Sequence, residues 1–335
     1  MRTGQLIIVT LLVAGIGFAV FGIVHADDTL TIYAGRSKSL AEPIIQRFEE
    51  ETGIKVRVKY GSTPQLAMAL REEGKRSPAD VFWAQDVTAL ESLDKAGFLA
   101  ELPAALADAT VPACPAKERW IATSGRARVL AYHPDRVAPG ALPESVLGLT
   151  GAQWEDRVGW APANASFQAF MSALRHIHGD EVSAAWVEGM RDNGAKAYAN
   201  NTALVQALAA GEIDVALTNH YYLLRFKEED PGFPVEQVFF KEGDAGNLVN
   251  FAGVALLNSS KRRDPALKFV EFLLDEKAQG YFAHDVFEYP VNGGVTANER
   301  LIPVESLMRQ APEVQFAALD DMEGTLNLLR RAGVL

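Results

Sequence analysis

Asn219-His220-Tyr221-Tyr222 stands directly after the short apolar run Val215-Ala216-Leu217. The run reads as a buried strand, and Tyr222 to Lys227 reads as a helix. The two tyrosines thus fall at a strand's carboxyl end and a helix start, where open α/β sheets bind ligands. Neighbours on a helical turn are only about 100° apart, so both phenol oxygens can reach one ion. A phenolate is a hard oxygen donor, suited to a hard, highly charged cation. A free phenol titrates at about pH 10, so near neutrality only a strongly acidic cation such as ferric iron holds it deprotonated. The plainer alternative is aromatic packing with both hydroxyls satisfied.

The elements that must position these residues alternate along the chain. Leu30 to Ala34 is a strand, Ser39 to Glu51 a helix stopped by Gly53, and Val56 to Tyr60 a strand. Thr63-Pro64 opens a helix with Thr as its cap and Pro at its first helical position. Val81-Phe82-Trp83 is a third strand, and Asp86 caps the next helix. This β-α-β-α-β order predicts an α/β lobe with a largely parallel sheet. A second series follows: a strand at Val158 to Trp160, a helix start at Asn164-Ala165-Ser166, and helices over Glu181 to Arg191 and Thr202 to Ala210. The Val215 strand comes next, then a strand over Phe251 to Leu257 that reads as a return crossing. Helices at Pro265 to Leu274 and Ala278 to Ala283 and a helical region from Met308 complete the pattern. No flexible Gly/Ser linker appears, so the expected lobes are joined by strands crossing a hinge.

Polar residues outside the periodic pattern gather at strand ends and helix starts: Arg36-Ser37, Gln85, Asn164 with Ser166, and Asn219. Helix N-termini present free N–H groups and a positive dipole, and so bind anions. Together with two phenolates they suit a cation held with a small oxyanion. No nucleophile elbow, His-Glu-x-x-His, Walker loop or dinucleotide fingerprint marks an enzyme. His176 and His178, two apart, do not share a helix face.

Arg2 and the uncharged run Leu6 to Val24, ending in Val24-His25-Ala26, form a secretory signal pattern with cleavage expected after Ala26. An uncleaved anchor is the alternative reading. The single cysteine, Cys114, allows no internal disulfide, so an apolar core must carry the fold. A net charge of −11 disfavours nucleic acid and anionic membrane surfaces.

The residues carry a family resemblance. Tyr33-Ala34-Gly35-Arg36, Phe48 to Val56, Ser77-Pro78-Ala79-Asp80-Val81-Phe82, Ser124 to Val129, Lys196 to Asn201, Asn219 to Tyr222 and Glu288-Tyr289-Pro290 resemble periplasmic ferric-iron-binding proteins, the solute receptors of iron(III) ABC importers. The resemblance implies a two-lobed type II periplasmic binding clamp, each lobe a mixed, mostly parallel sheet flanked by helices. It divides the chain into a signal peptide (1–26), a first lobe (27–125), a second lobe (126–250), a return to the first (251–303), and C-terminal helices packing on the second (304–335). It implies Fe3+ held by Tyr221 and Tyr222, with carbonate, bicarbonate or phosphate as synergistic anion. The anion would rest on the Asn164-Ala165-Ser166 helix start and Arg126, supported by Asn201 and Asn219, with Arg36, Ser37 and Gln85 closing over it. Many relatives place histidine at Ser37 and glutamate at Gln85 as metal ligands; this chain does not, so anion or water completes the coordination. Tyr33 is a further candidate ligand. The expected partner of this monomeric, non-enzymatic periplasmic receptor is an inner-membrane ABC permease. The other reading is a clamp for a polyamine, thiamine or another oxyanion.

Overall fold

The computed structural model describes residues 29–316, 319 and 321–335. The signal segment lies outside the described residues. Nine strands form one curled, mixed sheet: β1 Leu30–Ala34, β2 Val56–Tyr60, β3 Val81–Ala84, β4 Ile121–Tyr132, β5 Val158–Trp160, β6 Lys196–Ala197, β7 Val215–Asn219, β8 Glu236–Val238 and β9 Val249–Leu256. Their order is β2-β1-β3-β9-β4-β7-β5-β6, with β8 also on β4. Pairing is parallel within β2-β1-β3 and within β7-β5-β6. It is antiparallel wherever β4 or β9 takes part.

Those two strands join the lobes. The first half of β4 pairs with β9, Ile121 opposite Val254, and its second half pairs with β7, Arg128 opposite Asn219. The carboxyl half of β9 pairs with β3. A register shift between Ala122 and Ser124 bends the β4–β9 ladder, as β-bulges do. Each end of the sheet gathers its own helices and core. In the first lobe Phe48 and Trp83 pack edge-on against Phe269. In the second, Trp160, Phe167, Phe170 and Trp186 form one aromatic cluster.

The helices are α1 Lys38–Thr52, α2 Thr63–Glu73, α3 Val87–Lys95, α4 Ala105–Asp108, α5 Ala165–Asp192, α6 Asn201–Ala209, α7 His220–Glu229, α8 Arg263–Leu274, α9 Glu276–His284, α10 Val304–Gln310 and α11 Met322–Arg331. Helix α1 buries Leu40, Ile44, Ile45 and Phe48 on one face and ends at Gly53, whose φ of 71° suits a left-handed cap. Helix α5 runs through the expected boundary before Glu181, with a break at Gly179 (φ 82°).

Two expectations are corrected. The cap of α2 is Ser62, in a capping box with Gln65. Thr63 instead accepts the Gln85 N–H at 3.0 Å, tying α2 to the end of β3. The C-terminal helices also divide between the lobes. α11 buries Leu328 and Leu329 in the second core, whereas α10 adds Leu307 to the first.

Candidate metal and anion cleft

A cavity of about 200 Å3 lies between the lobes. Ser37, Thr63, Gln85 and Asp86 reach it from the first lobe, Asn164, Ala165, Ser166, Asn219, Tyr221 and Tyr222 from the second, and Arg126 from β4. Gly35 sets the first lobe's rim. A Cβ there would stand 2.1 Å from Thr63 Oγ1, so only glycine lets β1 approach the start of α2 this closely.

Because β7 ends at Asn219 and α7 begins at His220, both tyrosines occupy the first helical turn. Their rings stack with centroids 4.4 Å apart and an interplanar angle of 28°, so the two phenols run alongside each other into one cavity. Tyr221 is buried. Burial, then the neighbouring Tyr222 and Glu288, push its hydroxyl well above the ordinary tyrosine range, against the pull of Arg126. Without a cation it is therefore a neutral phenol.

The start of α5 forms another wall of the cavity. Asn164 Oδ1 caps the helix, accepting from the Ser166 N–H at 3.0 Å and from its hydroxyl at 2.7 Å. Asn201, behind the lining, donates to Ser166 Oγ at 3.3 Å. Arg126 is buried, its Nη2 3.9 Å from Asp86 Oδ2, and its Nη1 finds no partner. Leaving a buried donor unmet costs about 1–3 kcal/mol, more when charged. Arg126 lines the same cavity as the N-terminus of α5.

Arg128 is the functional candidate that sequence reasoning missed. It lies two residues from Arg126 on β4 and is itself buried. Nη1 donates to Ser166 Oγ at 3.2 Å and Asn219 Oδ1 at 3.4 Å, and Nη2 to the Leu217 carbonyl at 3.0 Å. Asn219 thus spends its side chain on Arg128 and does not cap α7. Burial pulls the Arg128 guanidinium down to about 9, Tyr222 opposing and Arg126 adding to the fall. The available signal was the Arg-x-Arg spacing, which puts both side chains on one strand face.

Two candidates lie elsewhere. Arg36 does not line the cavity. Its side chain is fully buried, with Nη2 2.9 Å from Glu288 Oε2 and Nη1 donating to Ser124 Oγ at 3.2 Å. Tyr33 does not line it either. Its hydroxyl donates to the Glu73 carboxylate at 2.9 Å, and Lys59 Nζ sits 4.4 Å from its ring centroid. His220 is also committed. Nδ1 accepts the Ala127 N–H at 3.1 Å, and Nε2 lies 2.8 Å from the Phe287 carbonyl, to which it donates. Burial lowers its pKa to about 4, so the ring is neutral near pH 7. Among the described residues no cluster of three or more His, Cys, Asp or Glu side chains could hold a metal.

Two lobes joined by a pair of crossing strands, with a cavity between them, define a type II solute-binding clamp. The profile of the family described as bacterial extracellular solute-binding protein matches residues 30–288, and the chain belongs to that family. It is 36% identical over 314 residues to the major ferric iron-binding protein of Neisseria meningitidis serogroup B, covering 91% of this chain and 93% of that one. Among solved structures it resembles iron-bound HitA from Pseudomonas aeruginosa, with a TM-score of 0.84 at 34% identity, covering 91% of this chain and 99% of that one. It also resembles Trichodesmium IdiA (FutA) in complex with iron and citrate, with a TM-score of 0.75 at 26% identity, covering 92% and 100%.

Proposed function

We propose that this protein is a periplasmic receptor that binds Fe3+ with a synergistic anion in the inter-lobe cleft and delivers it to an ABC permease. The observation that carries this reading is one cavity shared by two stacked tyrosines, the N-terminus of α5 and the unmatched Nη1 of Arg126. The name of the Neisseria relative, which specifies ferric iron, and the iron-bound state of HitA support it.

Charge sets the sequence of events. Fe3+ displaces two phenol protons and keeps one net positive charge against the two phenolates. A carbonate, bicarbonate or phosphate at the α5 N-terminus and Arg126 offsets the remainder, which would otherwise be costly to bury. Ser37 and Gln85 close the first lobe over the anion. Hinge closure of this kind is common in periplasmic receptors. Reopening at the permease admits water, and protons returning to the phenols release the ion. A polyamine suits this cleft poorly. Among the described residues Asp86 is its one lining carboxylate, and that group caps α3, accepts from Asn250 and faces Arg126.

The test is colour. Residues 27–335 mixed with ferric citrate and bicarbonate should develop a visible phenolate-to-iron charge-transfer band. Tyr221→Phe and Tyr222→Phe should each weaken or remove it. A colourless wild-type mixture overturns the reading.

A further inference from the structure

We propose that Arg128 is a positioning residue whose counter-charge arrives with the cargo, so that this one side chain couples anion binding to iron binding. The inference rests on the ferric-iron reading above. Arg128 is 3% exposed, yet every acceptor it meets is neutral: a backbone carbonyl, a serine hydroxyl and an asparagine amide oxygen. Its Nε has no partner. The faces of Phe167 and Phe170 lie 5.9 and 5.6 Å from the guanidinium carbon.

Two carboxylates act on the neighbouring Arg126. Glu288 Oε2 is held by Arg36 and Ser124, and Asp86 by Asn250 and Arg126. Among the described residues none forms an ion pair with Arg128. Buried charges are ordinarily paired, because desolvation is otherwise uncompensated. Two of the groups Arg128 holds, Ser166 Oγ and Asn219 Oδ1, belong to the anion side and to the residue leading into the tyrosine turn. The oxyanion therefore supplies negative charge where the described residues supply none, offsetting both Arg128 and the one positive charge that Fe3+ keeps against the two phenolates. Arg128 holds the supports of both ligands in place.

A purely structural arginine, held by its Leu217 bond and its ring contacts, makes a different prediction. The experiment compares wild type, Arg128→Met and Arg128→Lys. Each is loaded by air oxidation of ferrous ammonium sulfate, with sodium bicarbonate or in carbonate-free buffer. Apparent iron affinity is read from the charge-transfer band, and melting temperature is read with and without iron.

Wild type should bind iron at least about tenfold more tightly with bicarbonate, within the usual range of coupling between sites. Arg128→Met should melt at or above the wild-type temperature without iron, and should lose both the bicarbonate effect and most of the iron-induced rise. Arg128→Lys, which keeps the charge, should recover part of the bicarbonate effect. An Arg128→Met protein with the wild-type bicarbonate effect overturns the proposal. If Arg128→Met does not fold, Arg128→Lys decides: a retained bicarbonate effect supports the proposal, and a folded lysine variant without one overturns it. A wild type that takes up no iron is a separate result, against the receptor reading itself.

Discussion

Burial holds the Tyr221 proton tightly. In the proposed site that proton must leave for iron to bind, so affinity should fall as pH falls. Two phenol protons per ion give a slope of up to about two in log affinity per pH unit, since ligand deprotonation is coupled to binding. A chelator competition series from pH 8 to about pH 5 measures it; a flat profile contradicts phenolate ligation. Tyr221→Phe and Tyr222→Phe should each lower affinity by more than the roughly 10–100-fold typical of changes behind a metal ligand. Isothermal titration checks this. The position of the tyrosine pair was legible in the sequence because a strand-to-helix switch leaves a plain trace. Arg36 misled for the same reason. It also follows a strand, but its partner Glu288 is 252 residues away and invisible to local pattern.

At the scale of elements, the start of α5 and the strand β4 decide what the cleft can hold. Asn164 caps α5 and fixes the Ser166 hydroxyl. Asn164→Ala should cost about 0.5–2 kcal/mol of stability and weaken the bicarbonate effect, read by thermal melts with and without the anion. Unchanged values for both would remove Asn164 from the anion side. The α/β lobes were readable because their short strands are apolar and their helices repeat regularly. β4 was not. All twelve of its residues are buried, so no polar face alternates with an apolar one, and Ser124, Arg126 and Arg128 interrupt the apolar run. The split of α10 and α11 between lobes was hidden too, since helical periodicity shows a buried face but not which core receives it.

Across the whole molecule, the Arg36–Ser124–Glu288 network binds the first lobe to the crossing strand and the return segment. Burial alone would raise the Glu288 carboxyl, but Arg36 and then Arg126 hold it below its ordinary value. Its contribution to stability is therefore complete above the ordinary glutamate range and lost as pH falls through its lowered value. Glu288→Ala strands a fully buried guanidinium and should cost about 3–5 kcal/mol, measured by urea unfolding at pH 7. A loss within about 0.5 kcal/mol, typical of surface changes, would contradict this role.

The most direct measurement of the central claim is a crystal structure of the iron-loaded protein with data collected at the iron edge. A single anomalous peak between the lobes, bonded to the hydroxyl oxygens of both Tyr221 and Tyr222 and to an oxyanion touching Arg126, is the predicted result. A peak that touches neither tyrosine would contradict it.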